Sequence, residues 1–337
     1  MSKNINREIM VSIQCMAFNH EPYIRQCLDG FVMQKTNFHF EAIIHDDAST
    51  DGTSDIIREY ERMYPDIIKP IYQIENQYSK HDGSIRRALD SKTRGKYIAL
   101  CEGDDYWTDP LKLQKQVDFL ESHPDYSMVC NRTKLYSQRQ GKYIGENYCY
   151  NKSRLVDIKD VIFRGGLFIS TCSIMLRHTV INEGFPDYII NCHVGDYPLQ
   201  IFAAMKGKVY YFNDIMSVYR IDNNASWVGQ RKKINIKERI STVQSEVDML
   251  NGFANDYPQY SRFFKQRIKV YINKNCPNRK FTIAEQKEYL YAFEDEIKKY
   301  PCIWKLDLFI RKLRIIGLMR FYPFASLHSF KEKRQKY

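Results

Sequence analysis

Three carboxylates stand close together directly after a short apolar segment. Residues 97–101 are typical of a buried strand, and Glu102, Asp104 and Asp105 follow it at once. These acids repel one another, so the stability of the fold gives no reason to collect them. A bound divalent cation would relieve the repulsion, because hard cations take carboxylate oxygens and bridge them to substrate phosphates. The alternative is an acidic turn in which one Asp caps a helix near Asp109.

A second acidic pair is predicted at the same edge of the fold. Core strands, each followed by a helix, are predicted over residues 9–17, 40–45, 67–74 and 97–101. This alternation indicates an α/β fold with a doubly wound, mostly parallel sheet flanked by helices. Ligands of such sheets bind beyond the carboxyl ends of the strands. One cleft would therefore be lined by the acids and by the end of the first strand: Ala17, Phe18, Asn19, Asp46, Asp47, Asp104 and Asp105.

A nucleotide fits this predicted cleft. Carboxylates can accept hydrogen bonds from a base or from ribose hydroxyls, while a metal ion bridges the phosphates. The sequence has no Gly-x-x-x-x-Gly-Lys loop and no Gly-x-Gly-x-x-Gly fingerprint. Neither a P-loop nor a dinucleotide-binding Rossmann site is therefore supported.

Four segments in this order resemble the signatures of family 2 glycosyltransferases, which have the GT-A fold. They are Val11 to Asn19, Ile44 to Thr53, Gly95 to Ala99 and Glu102 to Asp105, and the resemblance spans about residues 9 to 230. It implies an inverting, metal-dependent transferase of the hexosyltransferase type. The implied donor is a nucleotide-sugar, a UDP-sugar above all. The implied acceptor is a hydroxyl of a glycan or lipid-linked glycan, as in bacterial-type surface polysaccharide synthesis.

The resemblance also implies roles for single residues. The nucleoside is assigned to a pocket at the ends of the first two strands. Asp47 would bind the nucleobase, and Ala17, Phe18, Asn19 and Asp46 would line the same pocket. The Asp-x-Asp-type motif maps onto residues 103–105. Asp104 would then face the ribose, and Asp105 would ligate Mn²⁺ or Mg²⁺ on the diphosphate. Glu102 is expected to be a neighbour outside the metal's ligands.

The general base is expected in the second half of the chain. Inverting transfer needs a carboxylate that takes the proton of the acceptor hydroxyl. In the family this acid precedes an apolar helix, and the segment from Gly195 to Leu199 fits, so Asp196 is the candidate. An Asp two residues before Pro198 is also a common helix start, and Asp196 can serve both purposes.

Three further residues carry weaker predictions. The segment from Tyr219 to Asp222 resembles the family's Tyr-Arg-x-His segment, but Asp222 stands where the family has His. Asp222 could complete the metal site, since Asp is a harder ligand than His. Arg220 either binds phosphate or holds a strand by an ion pair. Trp107 either contacts the acceptor sugar or packs in the core.

The ends of the chain and its charge suggest where the protein acts. The net charge is +11, and residues 301–337 hold nine Lys or Arg against two acids, interleaved with apolar residues. This pattern predicts either a helix resting on an anionic membrane or a C-terminal helix packed on the domain. No nucleic-acid motif accompanies the charge, so nucleic acid is not expected as a partner. Without a signal peptide or a long apolar segment, the protein is expected in the cytoplasm or peripherally on the inner face of the cell membrane.

These observations predict two regions and leave two functions open. Residues 1–230 would form the GT-A domain, with a nucleotide-sugar half at 1–132 and an acceptor half at 133–230. Residues 231–337 would form a basic helical extension. The alternative to an enzyme is a catalytically silent GT-A domain that acts as a membrane-surface or assembly module.

Overall fold

The computed structural model describes residues 8–80, 82–222, 235–277 and 281–299. The basic segment 301–337 lies outside these ranges. Of the described residues, those before Ile236 form one compact unit together with Ser241–Ile268. Ile236–Ile240 and the described residues between Lys269 and Lys299 form a second unit. No helix in the described ranges combines the length and the apolar character needed to span a bilayer.

The first half of the chain alternates between strands and helices, as the sequence predicts. The strands are β1 (Ile9–Ala17), β2 (His39–Asp46), β3 (Ile68–Tyr72) and β4 (Tyr97–Leu100). The helices between them are α1 (Glu21–Val32), α2 (Thr53–Met63) and α3 (Ser84–Lys92). Helix α1 shows why these segments fold locally: a proline stands in its first turn, and Ile24, Leu28 and Phe31 recur at helical spacing on its buried face.

The second half of the chain begins with a two-residue strand, and its later elements are longer and less regular. Its strands are β5 (Tyr106–Trp107), β6 (Tyr126–Ser137), β7 (Lys142–Asn147), β8 (Arg154–Leu155), β9 (Met175–Arg177) and β10 (Lys208–Ile221). Its helices are α4 (Lys112–Ser122), α5 (Ile158–Arg164), α6 (Asp187–Ile190) and α7 (Asp196–Lys206). Further along the chain come α8 (Ile236–Asp256), α9 (Ser261–Asn275), α10 (Ile283–Ala292) and α11 (Glu294–Lys298).

The strands of the first unit form one mixed, mostly parallel sheet in the order β3-β2-β1-β4-β9-β6-β10-β5, with β7 on β6 and β8 on β10. Strands β1 to β4 run parallel where they pair, and so do β6 and β10. Strand β9 is antiparallel to both β4 and β6, so β4 and β6 point the same way. The predicted doubly wound, mostly parallel α/β architecture is confirmed, and helices follow it toward the C-terminus.

The largest differences from the predicted elements lie after residue 125. The sequence pattern of residues 209–212 and 216–220 predicts two short strands, but β10 runs through both with register irregularities around Ile215. These irregularities absorb the polar pair Asn213-Asp214, which interrupts the apolar alternation. Gly165-Gly166 and the apolar residues up to 176 predict a turn followed by a strand, but the strand is only the three residues of β9. Residues 136–152 predict either a loop or an antiparallel excursion, and β7 forms the second of these.

Candidate functional site

Both acidic turns lie beside the end of β1. Asp47 donates its backbone N–H to the Ala17 carbonyl oxygen at 2.9 Å, and Gly103 donates to the Met16 carbonyl oxygen at 2.8 Å. The parallel pairing of β1 with β2 and with β4 produces this arrangement. The predicted convergence of the two turns at one sheet edge is therefore present in the structure.

The turn after β1 is held in a tight conformation. Asn19 has a φ of 54°, in the left-handed region that Asn tolerates better than most residues. Its Oδ1 accepts from the Thr50 N–H at 2.8 Å, and its own N–H donates to Ser49 Oγ at 3.0 Å. Ala17 is buried, whereas the Phe18 side chain is 40% exposed. The Phe18 ring is therefore accessible from solvent.

The two Asp residues after β2 are both buried and hydrogen-bonded. Asp46 accepts from the Ser54 hydroxyl and, at 3.2 Å, from the Ser49 N–H, so it holds the start of α2. Asp47 accepts from the backbone N–H groups of Gln77 and Tyr78 at 2.7 and 3.0 Å. Asn76 Nδ2 donates to the same carboxylate at 2.8 Å. A nucleobase that forms a hydrogen bond to Asp47 must therefore share the Asp47 carboxylate with residues 76–78, which already donate to it.

The acidic turn after β4 gathers three carboxylates. One oxygen from each of Glu102, Asp104 and Asp105 lies within 4.8 Å of the other two. Burial, together with the charges of Asp104 and Asp196, raises the pKa of the Glu102 carboxyl to about 8. The sequence placed Glu102 outside the metal's ligands, yet its carboxylate lies within the cluster.

Asp105 is the fully buried member of this acidic cluster. Its Oδ1 accepts from the Arg220 N–H at 2.8 Å, while Oδ2 is buried without a hydrogen-bond partner. Burial and the charges of Asp104 and Glu102 raise the pKa of the Asp105 carboxyl well above its usual range. A buried oxygen with no partner, beside two further carboxylates, is a donor set that suits a hard divalent cation.

Arg220 holds the acidic turn through its side chain. The guanidinium donates to the Asp104 carbonyl oxygen and to Gln26 Oε1 on α1. It is buried between two tyrosine rings, with its Cζ 5.1 Å from the Tyr23 centroid and 4.7 Å from the Tyr106 centroid. The described contacts of Arg220 therefore fix the turn that carries the cluster, and they do not form the ion pair that was one of its two predicted roles.

Asp222 lies just beyond the end of β10, with a φ of 61°. Its Oδ2 accepts from Ser137 Oγ at 2.8 Å, so it ties the ends of β10 and β6 together. Among the acids that the structure describes, those that cluster at ligand distance are Glu102, Asp104 and Asp105, without Asp222. The metal role of Asp222 stays a prediction.

Trp107 belongs to the core, which corrects its predicted contact with the acceptor. Its side chain is fully buried, and its indole N–H donates to the Cys172 carbonyl oxygen at 2.9 Å. The ring meets Phe31 edge to face at a centroid distance of 4.9 Å, and Lys112 Nζ lies 4.2 Å from its centroid. An aromatic residue enclosed in this way cannot stack on a sugar, so the alternative of core packing holds.

Asp196 opens helix α7, as the sequence predicts. Its Oδ1 accepts from the Tyr197 N–H at 2.7 Å. Burial raises the pKa of the Asp196 carboxyl, and its charge in turn acts on Glu102. The charge of the candidate base therefore contributes to the raised pKa of Glu102, although the two residues are far apart in the sequence.

Gly166 forms the surface against which the Asp196 carboxylate packs. A Cβ at this position would lie 3.1 Å from Asp196 Oδ2 and 3.3 Å from Tyr197 Cβ. The preceding Gly165 has a φ of 75° and a ψ of −175°, a conformation that is essentially restricted to glycine. The two glycines thus let the chain pass close to the candidate base.

If Asp196 is the base that the sequence predicts, Gly166→Ala should lower kcat about tenfold to hundredfold with little change in nucleotide affinity. The added methyl presses on Asp196 Oδ2, and small displacements of a reacting group cost rate steeply. The measurement is a steady-state comparison with Gly195→Ala as the matched control. A Cβ at Gly195, also beside Asp196, would meet no atom within 4 Å. Equal kcat values for the two variants would show that Gly166 does not position the carboxylate.

Known proteins resemble this chain in both sequence and fold. The sequence model of the family described as Glycosyl transferase family 2 matches residues 12–185, slightly more than half of the 337 residues. An uncharacterized protein of Mycobacterium tuberculosis is 38% identical over 217 residues. This match covers 64% of the present chain and 60% of that protein.

Two further proteins extend the comparison. The Escherichia coli protein named UDP-Glc:alpha-D-GlcNAc-diphosphoundecaprenol beta-1,3-glucosyltransferase WfaP is 34% identical over 122 residues, 36% of this chain and 45% of that protein. The structure of Staphylococcus aureus TarS residues 1–349 with UDP-GlcNAc superposes with a TM-score of 0.66 and 15% identity, covering 87% of this chain and 82% of that one. At 15% identity, the similarity to TarS establishes the GT-A fold alone. The match to the family model shows that the chain belongs to glycosyl transferase family 2.

Proposed function

We propose that the protein is an inverting glycosyltransferase that moves a sugar from a UDP-sugar to a hydroxyl of a glycan or lipid-linked glycan. One observation carries the proposal. A cluster of three carboxylates lies at the sheet edge, and the charge of a fourth carboxylate, Asp196, contributes to the raised pKa of Glu102. A metal site and a general base are what transfer from a nucleotide diphosphate requires.

The acidic cluster would hold a divalent cation, either Mn²⁺ or Mg²⁺. Asp105 would contribute the buried Oδ2 that has no hydrogen-bond partner, and Asp104 and Glu102 complete the set of oxygens. When bound, the cation supplies charge neutralisation for the leaving diphosphate. Arg220 positions this donor set, because its backbone and side chain both bond the Asp104-Asp105 turn.

Asp196 would act as the general base. Its carboxylate takes the proton from the acceptor hydroxyl while that oxygen bonds to the anomeric carbon, and the bond from that carbon to the nucleotide diphosphate breaks. A raised pKa suits this task, because a base is most effective when its pKa lies near the working pH. Attack opposite the leaving group inverts the anomeric centre.

The nucleoside would lie at the ends of β1 and β2. Phe18 offers an exposed ring for a base, and Asp47 offers acceptor oxygens within the network it shares with residues 76–78. The name of the Escherichia coli relative contains UDP-Glc and a diphosphoundecaprenol-linked sugar, and TarS was solved with UDP-GlcNAc. Both support a UDP-sugar as the donor, and the first supports a lipid-linked acceptor for surface polysaccharide synthesis.

A lipid-linked acceptor would bring the protein to the inner face of the cell membrane. The excess of basic residues in 301–337 supports contact with anionic lipid. Co-sedimentation with anionic vesicles, with and without residues 301–337, measures that contribution.

Calorimetric titration with UDP tests the donor side of the proposal. We expect Mn²⁺ to tighten UDP binding at least about tenfold, because the cation neutralises repulsion between the diphosphate and the three acids. Equal affinities with Mn²⁺ and with EDTA would remove the cation from the site. If neither UDP nor GDP binds under either condition, the proposed function is wrong.

A further inference from the structure

Three residues lie side by side across β10, β6 and β7. Tyr219 pairs with Leu135, and Leu135 pairs with Gly145. Directly paired residues of neighbouring strands project to the same face of a sheet. The side chains of Tyr219 and Leu135 and the open side of Gly145 therefore form one continuous row, which we call the cross-strand row.

One end of the cross-strand row lies at the candidate active site. The residue after Tyr219, Arg220, donates its backbone N–H to Asp105 Oδ1 at 2.8 Å, which fixes this part of β10 beside the acidic cluster. Burial and the charges of the cluster and of Asp196 raise the pKa of the Tyr219 hydroxyl. Tyr219 is thus the strand neighbour of the residue that bonds Asp105.

The other end of the row is open. Gly145 is exposed, and a Cβ added to it would meet no heavy atom within 4 Å. Two inter-strand spacings separate β10 from β7, so the row is about 10 Å long. The end of the row at Gly145 is therefore open to solvent.

A loop beside the row connects it to the candidate base. Asn147 lies two residues beyond Gly145 and donates through Nδ2 to the Leu167 carbonyl oxygen at 3.0 Å and to Ser170 Oγ at 2.8 Å. The Leu167 side chain is 69% exposed. Its neighbour Gly166 packs on the Asp196 carboxylate. The loop thus brings an exposed apolar side chain and the base to the same side of β7.

We infer that the cross-strand row is the floor of a subsite for a saccharide acceptor, with Leu167 as its wall. The inference rests on the proposed function, since it locates the substrate that receives the sugar. Tyrosine and leucine side chains pack on the C–H faces of sugar rings, and a tyrosine hydroxyl bonds sugar hydroxyls. The acceptor lies along the row with its reacting hydroxyl at the Tyr219 end, facing Asp196, and the rest of its chain leaves over Gly145.

Gly145→Leu tests the inference because it fills the open end without disturbing the fold. Gly145 is not among the glycines with positive φ, and leucine suits a strand better than glycine does. The assay follows UDP release from UDP-glucose and UDP-N-acetylglucosamine, with water alone or with a panel of p-nitrophenyl glycosides as acceptors. We expect glycoside-stimulated release to fall at least about tenfold. Release with water alone and UDP affinity should stay within about twofold.

Two companion variants show whether Gly145→Leu acts by blocking the cross-strand row or by a general effect on the protein. Lys134→Leu places the same side chain on β6 next to Leu135, where strand alternation directs it to the opposite face, so it should leave stimulation unchanged. Leu167→Ser removes the apolar wall from an exposed position and should reduce stimulation about threefold or more.

The possible outcomes distinguish a failure of the inferred subsite from a failure of the proposed function on which it rests. Full stimulation of Gly145→Leu would overturn the subsite. So would a wild-type protein that binds UDP but is stimulated by no glycoside of the panel. A wild-type protein that binds no nucleotide would contradict the proposed function itself, and the subsite with it.

Discussion

Asp196→Asn is expected to lower kcat by about 10²- to 10⁴-fold while UDP affinity stays within about twofold. The amide keeps the size of the side chain, and its Oδ1 can still accept from the Tyr197 N–H, so the start of α7 is preserved. What is lost is the capacity to take a proton from the acceptor. Steady-state transfer rates and UDP calorimetry on the same preparations measure the two effects.

The pH dependence of wild-type activity tests the role of Asp196 as the base in a second way. Burial raises the pKa of Asp196, so the carboxylate form that acts as base is gained at a higher pH than for an ordinary Asp. Activity should therefore rise with pH, and the midpoint should lie above the usual range of aspartate. Asp196→Asn should remove this limb from its residual activity. Normal turnover in Asp196→Asn would exclude Asp196 as the base.

Asp105→Asn is expected to abolish the effect of Mn²⁺ on UDP binding and to lower transfer at least about a hundredfold. The substitution is isosteric, and its Oδ1 can still accept from the Arg220 N–H, but the charge that would draw a cation is removed. UDP affinity with Mn²⁺ should fall to within about twofold of the affinity with EDTA. Calorimetry in both buffers measures the difference.

Stability and a second variant separate this effect from misfolding. Without metal, Asp105→Asn should melt at or above the wild-type temperature, because it replaces a carboxyl whose charged form is disfavoured by burial and by the neighbouring Asp104 and Glu102. Asp222→Asn is the companion, since Asp222 bonds Ser137 and lies outside the acidic cluster. If Asp222→Asn loses the Mn²⁺ effect and Asp105→Asn keeps it, the cation site has been assigned to the wrong acids.

The sheet edge could be predicted because it depends on local patterns. Apolar segments such as residues 97–101 mark buried strands, and short strand–helix alternation leaves few topologies. Two acidic turns that follow parallel strands must then meet at one edge. The same logic placed Asp196 at a helix start, because an acid before Pro198 is a local signal.

The contacts that shape the site depend on distant parts of the chain. Arg220 reaches Asp105 across 115 residues, and no local pattern distinguishes an arginine that bonds backbone from one that binds phosphate. Trp107 follows the acidic cluster directly, yet its two-residue strand directs it into the core. Such directions are set by strand pairing, in this case with Ser217, rather than by spacing along the sequence.

A smaller signal was present in the sequence without a defined role. Gly165 and Gly166 indicated a turn, and the structure shows that the second glycine packs on Asp196. Gly145, in the segment left open as a loop or antiparallel excursion, marks the free end of the cross-strand row. A glycine in a strand often marks a close approach by another group. On this basis, these glycines could have been predicted to lie near a functional group.

The most direct test of the account is a product analysis that compares wild-type protein with Asp196→Asn. Each is incubated with Mn²⁺, a panel of nucleotide-sugars and a lipid-linked or p-nitrophenyl glycoside acceptor, and the new linkage is examined by NMR. The account predicts that the wild-type protein forms a glycoside whose anomeric configuration is opposite to that of the donor, and that Asp196→Asn forms at least about a hundredfold less. Retained configuration, or no transfer from any donor that the protein binds, would contradict it, and the second result would favour a catalytically silent domain.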